Sequence, residues 1–454
     1  MPGVERKAMR GQLLSFVDDP SVAGAETSHR YLEDGLLLVE DGRIAAIGEA
    51  QELLRTLPAG TPVDHWPDCL ILPGLIDSHI HFPQTQVIAS FGAQLLDWLQ
   101  NYTFVEEQRF GDPAHSARIA SFFLDELARN GTTTAAVYCT VHSESADAFF
   151  AESARRNTRM IAGKVMMDRG APAGLLDSAE QGHAESKALI ERWHGQGRQL
   201  YAISPRFALT SSDAQLEAAG ALASEHSDCY VQTHLAENHD EIAAVRRLFP
   251  WAESYTYVYD RFGLLGPRSI FGHCLHLSEA ERERLSATGS VAAFCPTSNL
   301  FLGSGLFDLK ALRDPAFPVR VSIATDVGGG TSYSMLRTAA EGYKVLQLQG
   351  QTWPALDAFY ALTLGNARAL GLAGEIGTLE VATAADLVVL DPRATPAMAH
   401  RMERIADDLA ATLFLLMMMG DERAVRATYV MGERQQPGQS RLTDMTGSKT
   451  RRSP

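Results

Sequence analysis

The chain has 454 residues, 45% hydrophobic and 21% charged, the composition of an ordinary globular protein with room for one large domain and a smaller one. Its formal charge of −15 leaves no basic excess to neutralise phosphates, which argues against a nucleic-acid partner. The five cysteines are scattered and never spaced CxxC, which argues against a disulfide framework or a cysteine zinc site and fits a reducing cytoplasm.

The N-terminal stretch MPGVERKAMRGQLLSF lacks the apolar core of a signal peptide. In GLLLVEDGRIAAIGE (35–49), the runs 36–39 and 43–47 flank an Asp41-Gly42 turn, a strong hairpin signal. Similar short strands return near the other end, in ADLVVLD (385–391) and RATYVMGERQ (426–435). Two β-rich ends around a long middle predict one small β domain assembled from both termini.

The middle opens on LILPGLIDSHIH and continues with TTAAVYCT, RMIAGKVMM, QLYAISPRFAL, CYVQTHLAE, SIFGHCLHL, GSVAAFCP and RVSIATD. Helical stretches such as DAQLEAAGALASEHS and SEAERERLSATG separate them. Near-continuous apolar strands alternating with helices predict a parallel sheet covered by helices. Eight such strands suit a (β/α)8 barrel, although the pattern alone also fits a doubly wound sheet. The run LAATLFLLMMM (409–419) is too short to span a bilayer and suits a buried helix or subunit contact. The fold expected is therefore an α/β, TIM-type (β/α)8 barrel over 71–375 with a small β-sandwich domain from 1–70 and 376–437. The polar stretch 438–454 reads as a mobile tail.

Polar residues at the ends of these strands favour the barrel. His79 and His81 lie two apart on the first strand, so their side chains share one face while Ile76, Ser78 and Ile80 take the other. Arg206 ends YAISPRF, His234 and Glu237 end YVQTHLAE, His273 ends SIFGH, and Asp326 ends VSIATD. In a barrel all C-terminal strand ends open on one face, so these residues converge. Three imidazoles and a carboxylate suit zinc with an open position for water, and zinc lowers the pKa of such a water towards about 7. Iron or manganese could use similar ligands.

SHIH, THLAE, GHC and ATD, in this order, resemble the amidohydrolase superfamily and its mononuclear deaminase branch over nearly the whole chain. HFPQ, LLDWLQNYTFVEEQRF, KVMMDRGAP, SPRFALTSS, HLAEN, FCPTSNLFLGSG and LFLLMMMGDER are similar to guanine deaminases within that branch. The resemblance implies that His79, His81, His234 and Asp326 hold one Zn2+ per chain, with Fe2+ or Mn2+ as lesser candidates. It implies that His273 orients a hydroxide attacking C2 of guanine and that Glu237 shuttles protons, with Asp326 accepting one. Gln84, Trp98, Arg206 and Phe207, together with Glu237, would bind the purine.

The expected reaction is hydrolysis of guanine to xanthine and ammonia, in purine catabolism or salvage, by a cytoplasmic homodimer without nucleic-acid or membrane partners. The alternatives are deamination of another aminated heterocycle (a pterin, triazine or cytosine) and a non-catalytic assembly protein of the same fold. Two further motifs are set aside. His183 and Glu185 match HxE, but the PCxxC that completes that zinc-deaminase signature is missing from the chain. Binuclear members of the superfamily that the chain resembles bridge two metals with a strand-end lysine; Lys164 reads as lying within its strand, so the resemblance implies a single metal.

Overall fold

A computed structural model describes residues 5–438, apart from 93, 406 and 437, so the tail from 439 onward lies outside the described residues. The chain begins with β1 (Arg6–Phe16), β2 (His29–Glu40), β3 (Arg43–Glu49) and β4 (Val63–Pro73). Next come β5 (Leu75–His81), β6 (Thr132–Tyr138), β7 (Arg159–Gly163), the short β8 (Val165–Met166) and β9 (Leu200–Pro205). They are followed by β10 (Tyr230–Leu235), β11 (Ser269–His273), β12 (Val291–Phe294) and β13 (Arg320–Ile323). The chain returns to short strands in β14 (Leu387–Leu390), β15 (Val425–Val430) and β16 (Glu433–Arg434).

Strands from both ends make one seven-stranded sheet, in the order β16-β15-β14-β4-β1-β2-β3. The β2–β3 hairpin turns at Asp41 and Gly42, with φ of 48° and 81°, so both central residues are left-handed and the turn twist matches the strands. Met431 and Gly432 repeat this between β15 and β16. Met9, Leu13, Leu37, Ile71, Leu387 and Val389 pack together within this sheet's own core.

The barrel strands pair in chain order, β5-β6-β7-β9-β10-β11-β12-β13, with β8 beside β9 and parallel ladders throughout. A doubly wound sheet would reverse order at a switch point, and this sheet does not. Ile76, Ala136, Ile161, Ala202, Tyr230, Ile270, Ala293 and Ala324 form one cluster drawn from all eight strands or their ends, the filled interior of a closed barrel.

Closure between β5 and β13 is made by side chains and loop backbone. Asn366 donates to the carbonyls of Ile76 (2.7 Å) and Ile323 (2.8 Å) and accepts from the Ile323 N–H (2.9 Å). The Asp326 N–H donates to the His79 carbonyl (3.0 Å), and the His81 N–H to that of Val327 (2.8 Å). These bonds join the first and last strands where the unusual polar residues sit.

The apolar run forms the helix Leu409–Met419, with Leu413, Leu416 and Met417 buried. Among the described residues no helix is long and apolar enough to cross a membrane. All five cysteines are buried and unpaired.

The two units are joined by a buried ion pair. Arg198, just before β9, donates to both oxygens of Asp386, which also accepts the Met431 N–H at 2.9 Å. Removing one member of a buried pair leaves the other charge without a partner. Arg198→Met is therefore expected to destabilise the fold by roughly 3–5 kcal/mol, read as a lowered midpoint in thermal or urea unfolding. An unchanged midpoint would show that the pair adds nothing to the docking of the two sheets.

Candidate active site

The C-terminal ends of the barrel strands open onto one pocket. His81, Gln84, Trp98, Arg206, Phe207, His234, Glu237, His273 and Asp326 line it. Leu95, Leu99 and Leu302 complete an apolar wall. His79 lies beneath them, fully buried, its ring 4.7 Å from that of His234 between centroids. Every site residue expected from the sequence thus lies in or directly under one pocket.

The backbone is bent to put them there. Ala236, His273 and Asp326 carry φ of 50°, 71° and 52°, a left-handed conformation costly for residues with side chains and concentrated at functional sites. The glycine of SIFGH has a steric reason: a Cβ on Gly272 would stand 2.7 Å from the His79 ring. The register of β5 against β6 also slips between Asp77 and Ile80, a bulge beside the two histidines.

Asp326 Oδ1 lies 3.3 Å from His79 Nε2 and 3.4 Å from His81 Nε2. His81 Nε2 is 3.2 Å from His234 Nε2, and His273 Nε2 is 3.8 Å from Asp326 Oδ2. One nitrogen each from His79, His234 and His273 and one oxygen from Asp326 lie within 4.8 Å of one another. His81 stands against this group, on the side of Asp326 and His234. The Nδ1 atoms of His79 and His81 are buried without a hydrogen-bond partner, and His79 Nε2 faces Asp326 without a bonding alignment.

Burial drives His81 down to about 3 and, with the neighbouring His79 and His81, holds His234 well below the usual imidazole range. Burial acts to raise Asp326, but the imidazoles of His79 and His81 set against its carboxylate outweigh it and keep the carboxyl well below its ordinary value. Neutral imidazoles beside an ionised carboxylate are the protonation state a metal ligand set requires. The donor set fits a divalent metal ion.

Glu237 is the second carboxyl of the pocket. Its Oε1 accepts from Ser304 Oγ at 2.9 Å, and its Oε2 lies 3.3 Å from His273 Nε2. Burial, and then the charge on Asp326, push it up to about 8. His273 is held by Nδ1, which donates to Asn299 Oδ1 at 2.9 Å and leaves Nε2 facing the pocket. Glu241 fixes the backbone under Glu237, its Oε2 accepting the N–H groups of Glu237 (2.9 Å) and Asn238 (3.0 Å).

Arg206 and Gln84 also line the pocket, and they share an unforeseen partner. Arg206 Nη1 donates to both oxygens of Glu107, at 3.0 and 2.8 Å, and Gln84 Nε2 donates to Glu107 Oε1 at 3.1 Å. Arg206 is therefore in a buried ion pair while still lining the cavity. Trp98 and Phe207 are buried in the wall, and the Trp98 Nε1–H donates to the Ser90 carbonyl at 3.1 Å.

Glu107, Asn299 and Ser304 were not singled out by sequence reasoning. They sit inside LLDWLQNYTFVEEQRF and FCPTSNLFLGSG, but nothing in spacing separates Glu107 from Glu106, whose carboxylate pairs with Arg109. One expectation is corrected. Lys164 lies just past the end of β7, not within a strand, because the ladder stops at Gly163. Its ammonium turns away from the cavity to Asp177 Oδ2 at 2.5 Å, with Glu185 at 3.4 Å. Glu185 and His183 lie on the helix Ala179–Trp193, and His183 pairs with Glu225.

Residues 70–434 match the model of the amidohydrolase family. Guanine deaminase from Escherichia coli K12 is 47% identical over 429 residues, covering 94% of this chain and 97% of that protein. A solved structure of E. coli guanine deaminase superposes with a TM-score of 0.92 at 46% identity, covering 95% of this chain and 99% of its own. One from C. acetobutylicum, with guanine bound in its active site, gives 0.83 at 26% identity, covering 95% and 100%.

Proposed function

The chain belongs to the amidohydrolase family and, within it, to the guanine deaminases, and from this we propose that it hydrolyses guanine to xanthine and ammonia with one zinc ion. The observation that carries the reading is that one pocket is lined by two unlike sets of groups, the Glu237–His273–Asp326 cluster and the directed donors and acceptors of Gln84 and Arg206.

His79, His81, His234 and Asp326 would hold the zinc. When bound it supplies Lewis acidity, which lets water lose a proton near neutral pH. The remaining work falls to the chain's own residues. Exchange of the 2-amino group for oxygen needs water to add at C2, a proton to reach N3, and a second proton to reach the amine before it leaves as ammonia. Asp326, ionised in its pocket, can accept the proton that water gives up. Glu237, with its proton held near neutrality, can deliver one to N3. It can then take up the proton that Asp326 received and pass it to the departing amine, and regain its own from the hydroxyl of the adduct as the C2 carbonyl forms and ammonia leaves. His273 orients the added oxygen through Nε2, its tautomer fixed by Asn299.

Gln84 and Arg206 would read the 6-oxo edge of the ring by hydrogen bonds. Trp98, Phe207, Leu95 and Leu302 exclude water around the ring. An analogue that cannot pair with the buried amide and guanidinium leaves them unsatisfied, which is how such a site discriminates.

The test follows ultraviolet absorbance and ammonia release with guanine, adenine, cytosine and a pterin side by side. Guanine is expected to be turned over at least about 10²-fold more efficiently than the others. Hydrolysis of another amine with guanine untouched would overturn the substrate while leaving the deaminase chemistry standing.

A further inference from the structure

Glu107 is a buried carboxylate that touches neither the histidine cluster nor the proton-carrying Glu237, and no step described above uses it. It stands on the short helix Phe104–Glu107 and is 1% exposed, whereas its neighbour Glu106 pairs near the surface with Arg109. The same helix supplies Phe104, whose ring lies 5.5 Å from the Arg206 guanidinium carbon. One turn of helix thus grips Arg206 by its charge and by its planar face.

We propose that Glu107 is the positioning residue that sets specificity for a 6-oxo purine, by locking Arg206 and Gln84 into one donor–acceptor pattern. This rests on the reading of Gln84 and Arg206 given above. Oε1 of Glu107 accepts from both Arg206 Nη1 (3.0 Å) and Gln84 Nε2 (3.1 Å), so one atom ties the two reading groups together. The far end of the Gln84 amide is tied as well: Oε1 accepts the Gly328 N–H at 3.1 Å. A flipped amide would set oxygen against the Glu107 carboxylate and N–H against N–H, so only one orientation is satisfied.

Gly328 allows this approach, since a Cβ there would stand 2.8 Å from the Gln84 carbonyl oxygen. The lock therefore runs from Glu107 through Gln84 to the loop that follows Asp326, and it relates the reading edge to the reacting edge. Its second effect is electrostatic. Glu107 neutralises Arg206, so the pocket offers a polarised donor without a free positive charge, which suits a neutral heterocycle better than an anion.

The probe is 2-aminopurine, which carries the 2-amino group of guanine and lacks the 6-oxo group. Glu107→Asp keeps the charge but withdraws the carboxylate by one methylene; Glu107→Gln keeps the length and removes the charge. For either variant, kcat/KM on guanine is expected to fall at least about 30-fold, mostly through KM. That on 2-aminopurine should change less than about 3-fold, with metal content at the wild-type level. Their ratio, the specificity, should thus fall about tenfold or more. If Glu107→Gln does not fold, Glu107→Asp alone decides the question.

In the Arg206→Met background, Glu107→Gln is expected to cost little more, because residues that act through one another do not add. An equal loss on both substrates, or multiplying losses in the double variant, would overturn the role of Glu107. A wild-type protein that does not distinguish guanine from 2-aminopurine would instead overturn the reading of Gln84 and Arg206 on which it rests.

Discussion

Glu237→Gln is expected to lower kcat on guanine by about 10²- to 10⁴-fold, the usual worth of a positioned acid–base group, while metal content stays at the wild-type level. The amide keeps the length of the side chain and can still accept from Ser304 Oγ, which lies 2.9 Å from Glu237 Oε1. It cannot give up and retake a proton. Because the acid is set apart from the donors of His79, His234 and Asp326, the two properties should separate. Steady-state ammonia release and metal analysis on the same preparation check this, and wild-type turnover would remove Glu237 from the proton path. A joint loss of metal and activity would reassign it to the ligand set.

The second large effect comes from removing the metal. Prolonged chelation is expected to lower turnover by at least about 10³-fold, and Zn2+ to restore it, because unassisted water is a far weaker acid than metal-activated water. Stability should move in the same direction. Without an ion the buried His79 Nε2 faces the Asp326 carboxylate with no hydrogen-bond partner, so the thermal midpoint should drop on chelation and recover with metal. His79→Ala should give the chelated behaviour and resist rescue by zinc. Full activity in protein shown to be free of metal would refute the reading outright. A chain that never takes up metal and never turns over guanine would point instead to an assembly role for this fold.

Metal content also distinguishes His81 from His273. The sequence reading placed His81 among the ligands, while the donors that lie within 4.8 Å of one another include His273 and not His81. His273 is anchored by Asn299 and within 3.3 Å of Glu237. His81 has no such anchor: its Nδ1 is unpartnered and its Nε2 faces Asp326 and His234. Metal content of the two alanine variants tells the roles apart.

Strand identity was legible because its cause is local. Continuous apolar runs such as TTAAVYCT and SIFGHC become strands covered on both faces, and Asp41-Gly42 makes the turn its backbone freedom allows. The site was legible for a related reason. A barrel delivers every strand end to one rim, so His79, His234, His273 and Asp326 could be grouped without knowing a single distance. What stayed hidden depends on burial and on direction. Glu106 and Glu107 are equivalent letters, and only the packing of a short helix turns one towards Arg109 and buries the other beside Arg206. Lys164 looked internal to a strand because KVMM continues the apolar run, yet the ladder breaks at Gly163.

The sequence by itself therefore determined which segments form strands and which residue types gather at the rim. These follow from periodicity and residue type, which do not need the chain to be folded to be read. The tertiary structure alone decided how the first strand meets the last, through Asn366 and the backbone bonds of His79 and His81 to the Asp326 loop. It alone decided that Glu237 sits where burial and Asp326 hold its proton, and that Glu107 ties Arg206 to Gln84. Hydrogen bonds and desolvation depend on distances of a few ångströms between residues tens to hundreds of positions apart, and only the closed barrel sets those distances.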